Sequence, residues 1–369
     1  MYMDFFNHTK NTLKNFLKYI RNSLYSYKVY YEILNFSRSK TNSIFMDLGI
    51  GLGDYLWARL FINELVNHRD FRDFNIQIIV TKRWYNFALK YDNFDRIKFI
   101  VVPESYVIRQ INNYQVTTKN NSTRKIFIDF IGITPSERKT DVKKLIPSYF
   151  DNIEKYNYLI KDSNSFFYKE SVNYFCKTLF KSIPINYNDL SKYFLRNNNS
   201  LEESFGERKI SDKYIIFFYD GYTRGIFSIE CIKLIVDFCY RKFNTKVFLV
   251  SGKMYNKSME IMRELTSNIE YKDKIINSTN KFNTYDLLNL IYYSEFTICT
   301  DSAPYHISMQ LNKMLFCISN KDIKTINKEY SMSKLIIYDA DNLENIPLNL
   351  IKESLEDFSE IIIKEKILN

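Results

Sequence analysis

Residues 43–67 read SIFMDLGIGLGDYLWARLFINELVN, and this stretch decides the fold. SIFMDL is an apolar run of strand length; Gly49, Gly51 and Gly53 follow at alternate positions, and an apolar pattern of helical period continues over 54–67. Glycine is scarce in this chain, with 8 in all, so its gathering at a strand-to-helix turn is a signal. Glycines there let the backbone approach a ligand, beside a helix end whose N–H groups favour negative charge. A tight turn without a ligand would use the same residues, and that reading stays open at this point.

Working outward, the same alternation recurs. Further strands are expected at 76–80, 97–102 and 125–131, then at 213–219, 246–251, 296–300, 314–318 and 335–339. Helices are expected near 228–242, 255–267, 284–293 and 304–311. Apolar strands separated by helical stretches predict parallel sheets covered by helices, an α/β fold with two doubly wound, Rossmann-like domains. The polar run around Asn197-Asn198-Asn199-Ser200 separates the two strand series. The expected organisation is a basic N-terminal segment over 1–40, a first domain over 41–190, a linker over 191–212, a second domain over 213–345, and a C-terminal helix over 346–369 with an amphipathic face suited to packing back on the first domain.

Length and composition agree. A chain of 369 residues that is 46% hydrophobic and 25% charged holds enough apolar mass for two cores. No stretch approaches the roughly 18 apolar residues of a membrane-spanning helix. The N-terminus lacks the compact apolar run of a signal peptide, and the five cysteines form no CxxC pair, so a cytoplasmic setting is expected. Three histidines make a zinc site improbable. The net charge of +10 suits an anionic partner; no RNA-binding aromatic motif, zinc-finger spacing or Lys/Arg block is present, and nucleic acid is not expected.

Several ligands compete for the glycine turn. A nicotinamide fingerprint G-x-G-x-x-G fails, because the sixth position is Asp54 counted from Gly49 and Leu56 counted from Gly51. Asp47 with the three glycines resembles the first motif of S-adenosylmethionine-dependent methyltransferases, but the next strand runs into Thr81-Lys82-Arg83 where those enzymes place a carboxylate. The third reading couples Gly53-Asp54 to a distant run, Thr300-Asp301-Ser302-Ala303-Pro304-Tyr305-His306, which lies between strand FTICT and a small-residue helix.

Elementary chemistry assigns roles to these residues. Asp54, at the top of a parallel strand, is placed to act as a general base for a hydroxyl. Ser302 and the backbone N–H groups at 302–303 are placed to hold phosphate, with His306 one turn along the same helix. Arg224, in KYIIFFYDGYTRGIFS, supplies a bidentate phosphate partner where other enzymes use a divalent metal. The plain alternatives are helix caps for Asp54 and Asp301, a packed core histidine, and a solvated turn arginine.

Taken in order, 43–67, 213–238 and 296–318 resemble glycosyltransferase family 9, the heptosyltransferase-like enzymes of GT-B architecture. The resemblance implies two Rossmann-like domains facing a cleft and an inverting, metal-independent transfer from a nucleotide-sugar donor of the ADP-heptose type. It implies a lipopolysaccharide or other glycan acceptor, and no cofactor beyond the donor. By it, Gly51 and Gly53 form the glycine turn, Asp54 is catalytic, and Arg224, Asp301, Ser302, Ala303, His306 and Glu260 face the donor. The chain departs from the family pattern in three places: Ala303, followed by Pro304, stands where the family has Gly; Arg224 stands for its Lys; Glu260 is the nearest match to its Glu, with Lys253 and Lys257 close by. The other readings kept are a methyltransferase and an inactive sugar-nucleotide or glycan-binding protein.

Two basic features remain. Residues 1–40 carry a surplus of five positive charges, with Leu13, Phe16, Leu17, Ile20 and Leu24 at helical spacing beside Lys10, Lys14 and Lys18. Such a helix suits an anionic membrane surface, or packs on the first domain. Arg138, Lys139, Lys143 and Lys144 are candidates for a negatively charged acceptor, with a solvated loop as the plain reading. Asp339-Ala340-Asp341 matches a metal-binding D-x-D by chance.

Overall fold

The computed structural model describes residues 28, 31, 32, 35, 36, 38–48, 52–92, 94–102, 123–130, 154–157, 167–194, 213–221, 225–251, 255–277, 284–320, 332–338 and 343–368. The chain divides into two compact units, one from residues 1–161 and 168–185, the other from 162–167 and 186–369. The division thus falls ahead of the polar run. Part of the expected linker, Ser191–Phe194, forms a 3₁₀ turn with Tyr193 and Phe194 buried, and 195–212 lie outside the described residues.

The first unit is built from β1 (Ser43–Asp47), α1 (Leu52–Asn67), β2 (Asn75–Thr81), α2 (Lys82–Tyr91), β3 (Ile97–Val102), β4 (Lys125–Asp129), β5 (Glu154–Asn157) and α3 (Phe167–Phe180). Its sheet is parallel throughout, in the order β3-β2-β1-β4-β5. All five residues of β1 are buried, as expected of a strand covered on both faces. The core is aromatic: Phe45 stacks on Phe127 at 5.7 Å, Phe61 on Phe180 at 5.3 Å, and Phe130 lies 4.3 Å from Phe175.

A buried ionic clamp fixes α1. Arg59 donates through Nε and Nη2 to the two oxygens of Asp92 at 3.2 and 3.1 Å, and Tyr55 donates to the same carboxylate at 2.5 Å. Arg59 and Asp92 are 1% and 0% exposed, and the guanidinium lies over the rings of Phe87 and Tyr91. A buried charge is tolerated only when paired and hydrogen-bonded in this way. Asp92 follows α2 directly, so the pair pins the helix after β1 to the end of the helix after β2.

The described part of the N-terminal segment is fastened to the first unit. Phe36 is fully buried against Phe45, Glu32 pairs with Lys98, and the ammonium of Lys125 donates to Ser39, to the Thr41 carbonyl and to Ser43. Burial lowers the Lys125 pKa. The stripe at 13–24 lies outside the described residues.

The second unit runs β6 (Tyr214–Phe218), β7 (Asp220–Gly221), β8 (Gly225–Ile226), α4 (Ile229–Phe243), β9 (Lys246–Val250), α5 (Tyr255–Ser267), α6 (Ile269–Lys272), β10 (Ile275–Asn277), α7 (Thr284–Tyr293), β11 (Thr297–Thr300), α8 (Ala303–Gln310), β12 (Leu315–Asn320), β13 (Ser333–Tyr338) and α9 (Leu348–Leu368). Its main sheet is again parallel, in the order β10-β9-β6-β11-β12-β13. Counted within the unit this is 3-2-1-4-5-6, the doubly wound order of dinucleotide-binding folds. Ser228 caps α4 by accepting from the Cys231 N–H at 3.2 Å, and Asn244 ends it in the left-handed region at φ 49°. The C-terminal helix α9 packs on α4 and β13, where Leu355, Phe358 and Ile362 join the second unit's core.

Candidate functional site

In a doubly wound sheet, ligands bind beyond the carboxyl ends of the strands, where the strand order reverses. In the first unit that switch lies between β1 and β4, and the glycine turn leaves β1. In the second it lies between β6 and β11, which lead into the hairpin β7–β8 and into Asp301-Ser302. The sequence motifs therefore fall at the two switch points.

At the first switch point α1 begins at Leu52, two residues earlier than the sequence suggests, so Gly53 lies inside the helix. Gly51 lies outside the described residues. Asp54 sits in the first helical turn as the third residue of α1, where a carboxylate is favoured by the helix dipole. It is half-buried, and its Oδ1 accepts a hydrogen bond of 2.8 Å from the Tyr168 hydroxyl of α3. Tyr168 is in turn stacked on Trp57 at 5.8 Å and 10°. Tyr168 went unnoticed in the sequence because it stands 114 residues from its partner. Asp47 is buried at the end of β1, and β2 ends at Thr81, directly followed by Lys82 of α2. No carboxylate stands there to hold a ribose, as the methyltransferase reading requires.

At the second switch point β11 ends at Thr300 and Ser302 is the N-cap of α8, with φ −156°. The Ser302 hydroxyl donates back to the Thr300 carbonyl at 3.3 Å and does not cap the helix with its side chain. The start of α8 thus keeps the anion-favouring character of an uncapped helix end. Asp301, Ser302 and Ala303 are half-buried there. His306 is 3% exposed and edge-on to Tyr305 at 5.1 Å. Burial lowers its pKa to about 4, against the opposing pull of Asp301, so the imidazole is neutral at pH 7. Any contact it makes to an anion is therefore a neutral N–H donation.

Arg224 lies outside the described residues, bracketed by β7 and β8, whose Gly221 and Gly225 pair antiparallel with Gly225 at φ 87°. Glu260 is exposed in the second turn of α5, while Lys257 is ion-paired to Glu344. The groups that meet at the ends of β6 and β9 are different ones. Ser251 donates to Asp220 Oδ2 at 2.6 Å and is bonded to Ser258 at 2.5 Å. Arg138, Lys139, Lys143, Lys144, Lys253 and the run 339–341 lie outside the described residues. All five cysteines are buried free thiols, and burial raises those of Cys176 and Cys231 to about 12. Among the described residues no group of three His, Cys, Asp or Glu side chains is gathered as a metal site, and no helix is long and apolar enough to cross a membrane.

No known protein-family profile matches the sequence, and no curated protein matches it significantly. Solved structures do match by fold. The E. coli heptosyltransferase WaaC with ADP is 13% identical with a TM-score of 0.55, covering 87% of this chain and 99% of that one. The same enzyme with ADP-2-deoxy-2-fluoro heptose is 12% identical, TM-score 0.54, over 85% and 99%. A glycosyl transferase of family 9 from Veillonella parvula DSM 2008 is 13% identical, TM-score 0.54, over 89% and 99%. Two Rossmann-like units of these strand orders, matched over most of the chain, give the protein a GT-B fold. Within that class the fold is of the heptosyltransferase type.

Proposed function

We propose that this chain is a glycosyltransferase that moves a sugar from a nucleoside-diphosphate donor to a hydroxyl of a glycan or glycolipid. The observation that carries the reading is the coincidence of two independent motifs with the two switch points: Asp54 after β1, and Asp301–His306 after β11. One supplies a proton acceptor and the other an anion-favouring helix end, the two functions that transfer from a diphosphate donor demands. Asp54 takes the acceptor's proton, and the hydrogen bond from Tyr168 orients its carboxylate. Ser302 and the α8 backbone hold the departing diphosphate, and Arg224 offsets its charge in place of a metal. Donation from neutral His306 completes that end. WaaC was solved with ADP and an ADP-heptose analogue, which supports an ADP-heptose type donor here. An inverting course, a lipopolysaccharide-type acceptor and action at the inner face of a membrane complete the proposal, with Arg138, Lys139, Lys143 and Lys144 meeting the acceptor's negative charge.

The test begins with thermal shifts in ADP, GDP, UDP, CDP and S-adenosylmethionine, with and without EDTA. One diphosphate is expected to raise the melting temperature in EDTA and S-adenosylmethionine to leave it unchanged. With the matching nucleotide sugar, Asp54→Asn is expected to lower turnover by roughly 10²–10⁴ while donor affinity holds. Tyr168→Phe, which keeps the stack on Trp57, is expected to lower turnover several-fold while donor affinity holds, because the carboxylate loses the hydrogen bond that orients it. Unchanged turnover in Asp54→Asn would sink the mechanism, and binding without turnover in the parent would make the chain a sugar-nucleotide-binding protein.

A further inference from the structure

The start of α2 is built against the usual rules of helix ends. Lys82 and Arg83 open the helix and its first turn holds no acidic residue, although the N-terminal end of a helix carries partial positive charge and favours anions. Thr81 is the N-cap, extended at φ −76° and ψ 153°, where a threonine hydroxyl ordinarily accepts from the first N–H groups of the helix. Here the side chain makes no cap bond. Its hydroxyl is buried without a hydrogen-bond partner among the described residues, and the residue is 3% exposed. An orphaned hydroxyl and two cations at a positive helix end each cost stability, and one bound anion at the mouth of the helix relieves all three.

The surroundings hold this mouth in place. α2 is fastened at its far end by the pair of Asp92 with Arg59, and Phe87 lies edge-on to Tyr55 of α1 at 6.0 Å. β2 delivers Thr81 at the carboxyl edge of the first sheet, beside β1. The opposing charge on β1 is Asp47, which pairs in register with Ile79, two residues short of Thr81. Strand geometry sets their Cα atoms about 8 Å apart, so the mouth itself is left to the donors and the cations. A phosphate group offers three strong acceptor oxygens, enough for a hydroxyl, backbone N–H groups and an ammonium together. We infer that the start of α2 binds a phosphate group, free or as a monoester. Thr81 Oγ1 and the first N–H groups of α2 are its donors, and Lys82 and Arg83 its counter-charge. The site belongs to the first unit, is marked by neither motif and stands apart from the nucleotide-sugar reading.

Trp84, the third residue of α2, reports on the site, and Trp57→Phe leaves it the single tryptophan of the full chain. If that variant does not fold, the parent serves, since both tryptophans lie in the first unit. Inorganic phosphate is expected to change the emission saturably, while potassium chloride at matched ionic strength does not. Thr81→Val is expected to weaken the binding by roughly fivefold or more, and Lys82→Gln several-fold. Thr81→Val also separates a ligand site from a cap. In phosphate-free buffer its urea midpoint is expected to equal or exceed the parent's, because an unpaired hydroxyl is gone, whereas loss of a working cap would lower it. Hexose 6-phosphate and vesicles containing phosphatidic acid are titrated alongside, and the tightest binder of the three identifies the source as a sugar phosphate, a lipid headgroup or the free anion. An emission that none of the three moves, phosphate binding as tight in Thr81→Val as in the parent, or a lowered urea midpoint in that variant overturns the inference. Glycosyl transfer is tested separately by the nucleotide panel, and neither result decides the other.

Discussion

His306 shows how one residue carries both a structural and a chemical argument. Its ring is buried and its folded pKa of about 4 lies below the ordinary 6.5. Above pH 6.5 the ring is neutral in folded and unfolded chains alike and costs nothing. Between pH 6.5 and 4 the unfolded chain binds a proton that the folded one refuses, so stability falls by up to about 1.4 kcal/mol per pH unit. Below pH 4 the loss levels off. Urea midpoints at pH 7 and pH 5, read by circular dichroism, are therefore expected to drop further in the parent than in His306→Gln; equal drops would mean the ring is not held neutral. The histidine was conspicuous in the sequence because the chain has only 3, but its burial depends on the packing of α8 against β11, α7 and β12, elements that only the fold brings together.

At the scale of elements, α1 is the part whose placement matters most, since it carries Asp54. Its anchor is the pair of Arg59 with Asp92, both almost fully buried. Asp92→Ala leaves a buried guanidinium without its counter-charge and is expected to cost about 3–5 kcal/mol, whereas the joint replacement Arg59→Met with Asp92→Leu is expected to cost less. The chain's 2 tryptophans, Trp57 and Trp84, both lie in the first unit, so tryptophan fluorescence in urea reads this transition by itself. If the joint replacement is as harmful as the single one, the clamp is not electrostatic. Much of this scale was legible: β1, β2, β3, β6, β9, β11 and β12 are apolar runs that any parallel sheet demands. Others were hidden for physical reasons. The short strand β5, Glu154–Asn157, lies at the sheet edge, is half charged and has no apolar run. The helix α2 starts at Lys82 with no turn after β2, so nothing punctuates the change of period. Asp220, Ser251 and Ser258 are joined only by the sheet, which brings β6 and β9 side by side.

At the scale of the whole molecule, charge is unevenly spread, with half of the surplus of +10 within residues 1–40. Under the proposed membrane-facing role, Lys10, Lys14 and Lys18 lead the approach to an anionic bilayer. Their joint change to Gln is expected to weaken affinity for phosphatidylserine-containing vesicles, read by sedimentation, by roughly a hundredfold, in keeping with about 1 kcal/mol for each of the three basic residues near such a surface. Raised salt is expected to do the same to the parent, and vesicle binding that ignores both would remove the role. The cysteines carry a consequence of another kind. One buried thiol, Cys176, belongs to the first unit, and four, Cys231, Cys239, Cys299 and Cys317, belong to the second. Native protein is thereby silent to a thiol-alkylating reagent, and the mass added during partial unfolding counts which half has opened: a single adduct marks the first, and a fourfold ladder marks the second.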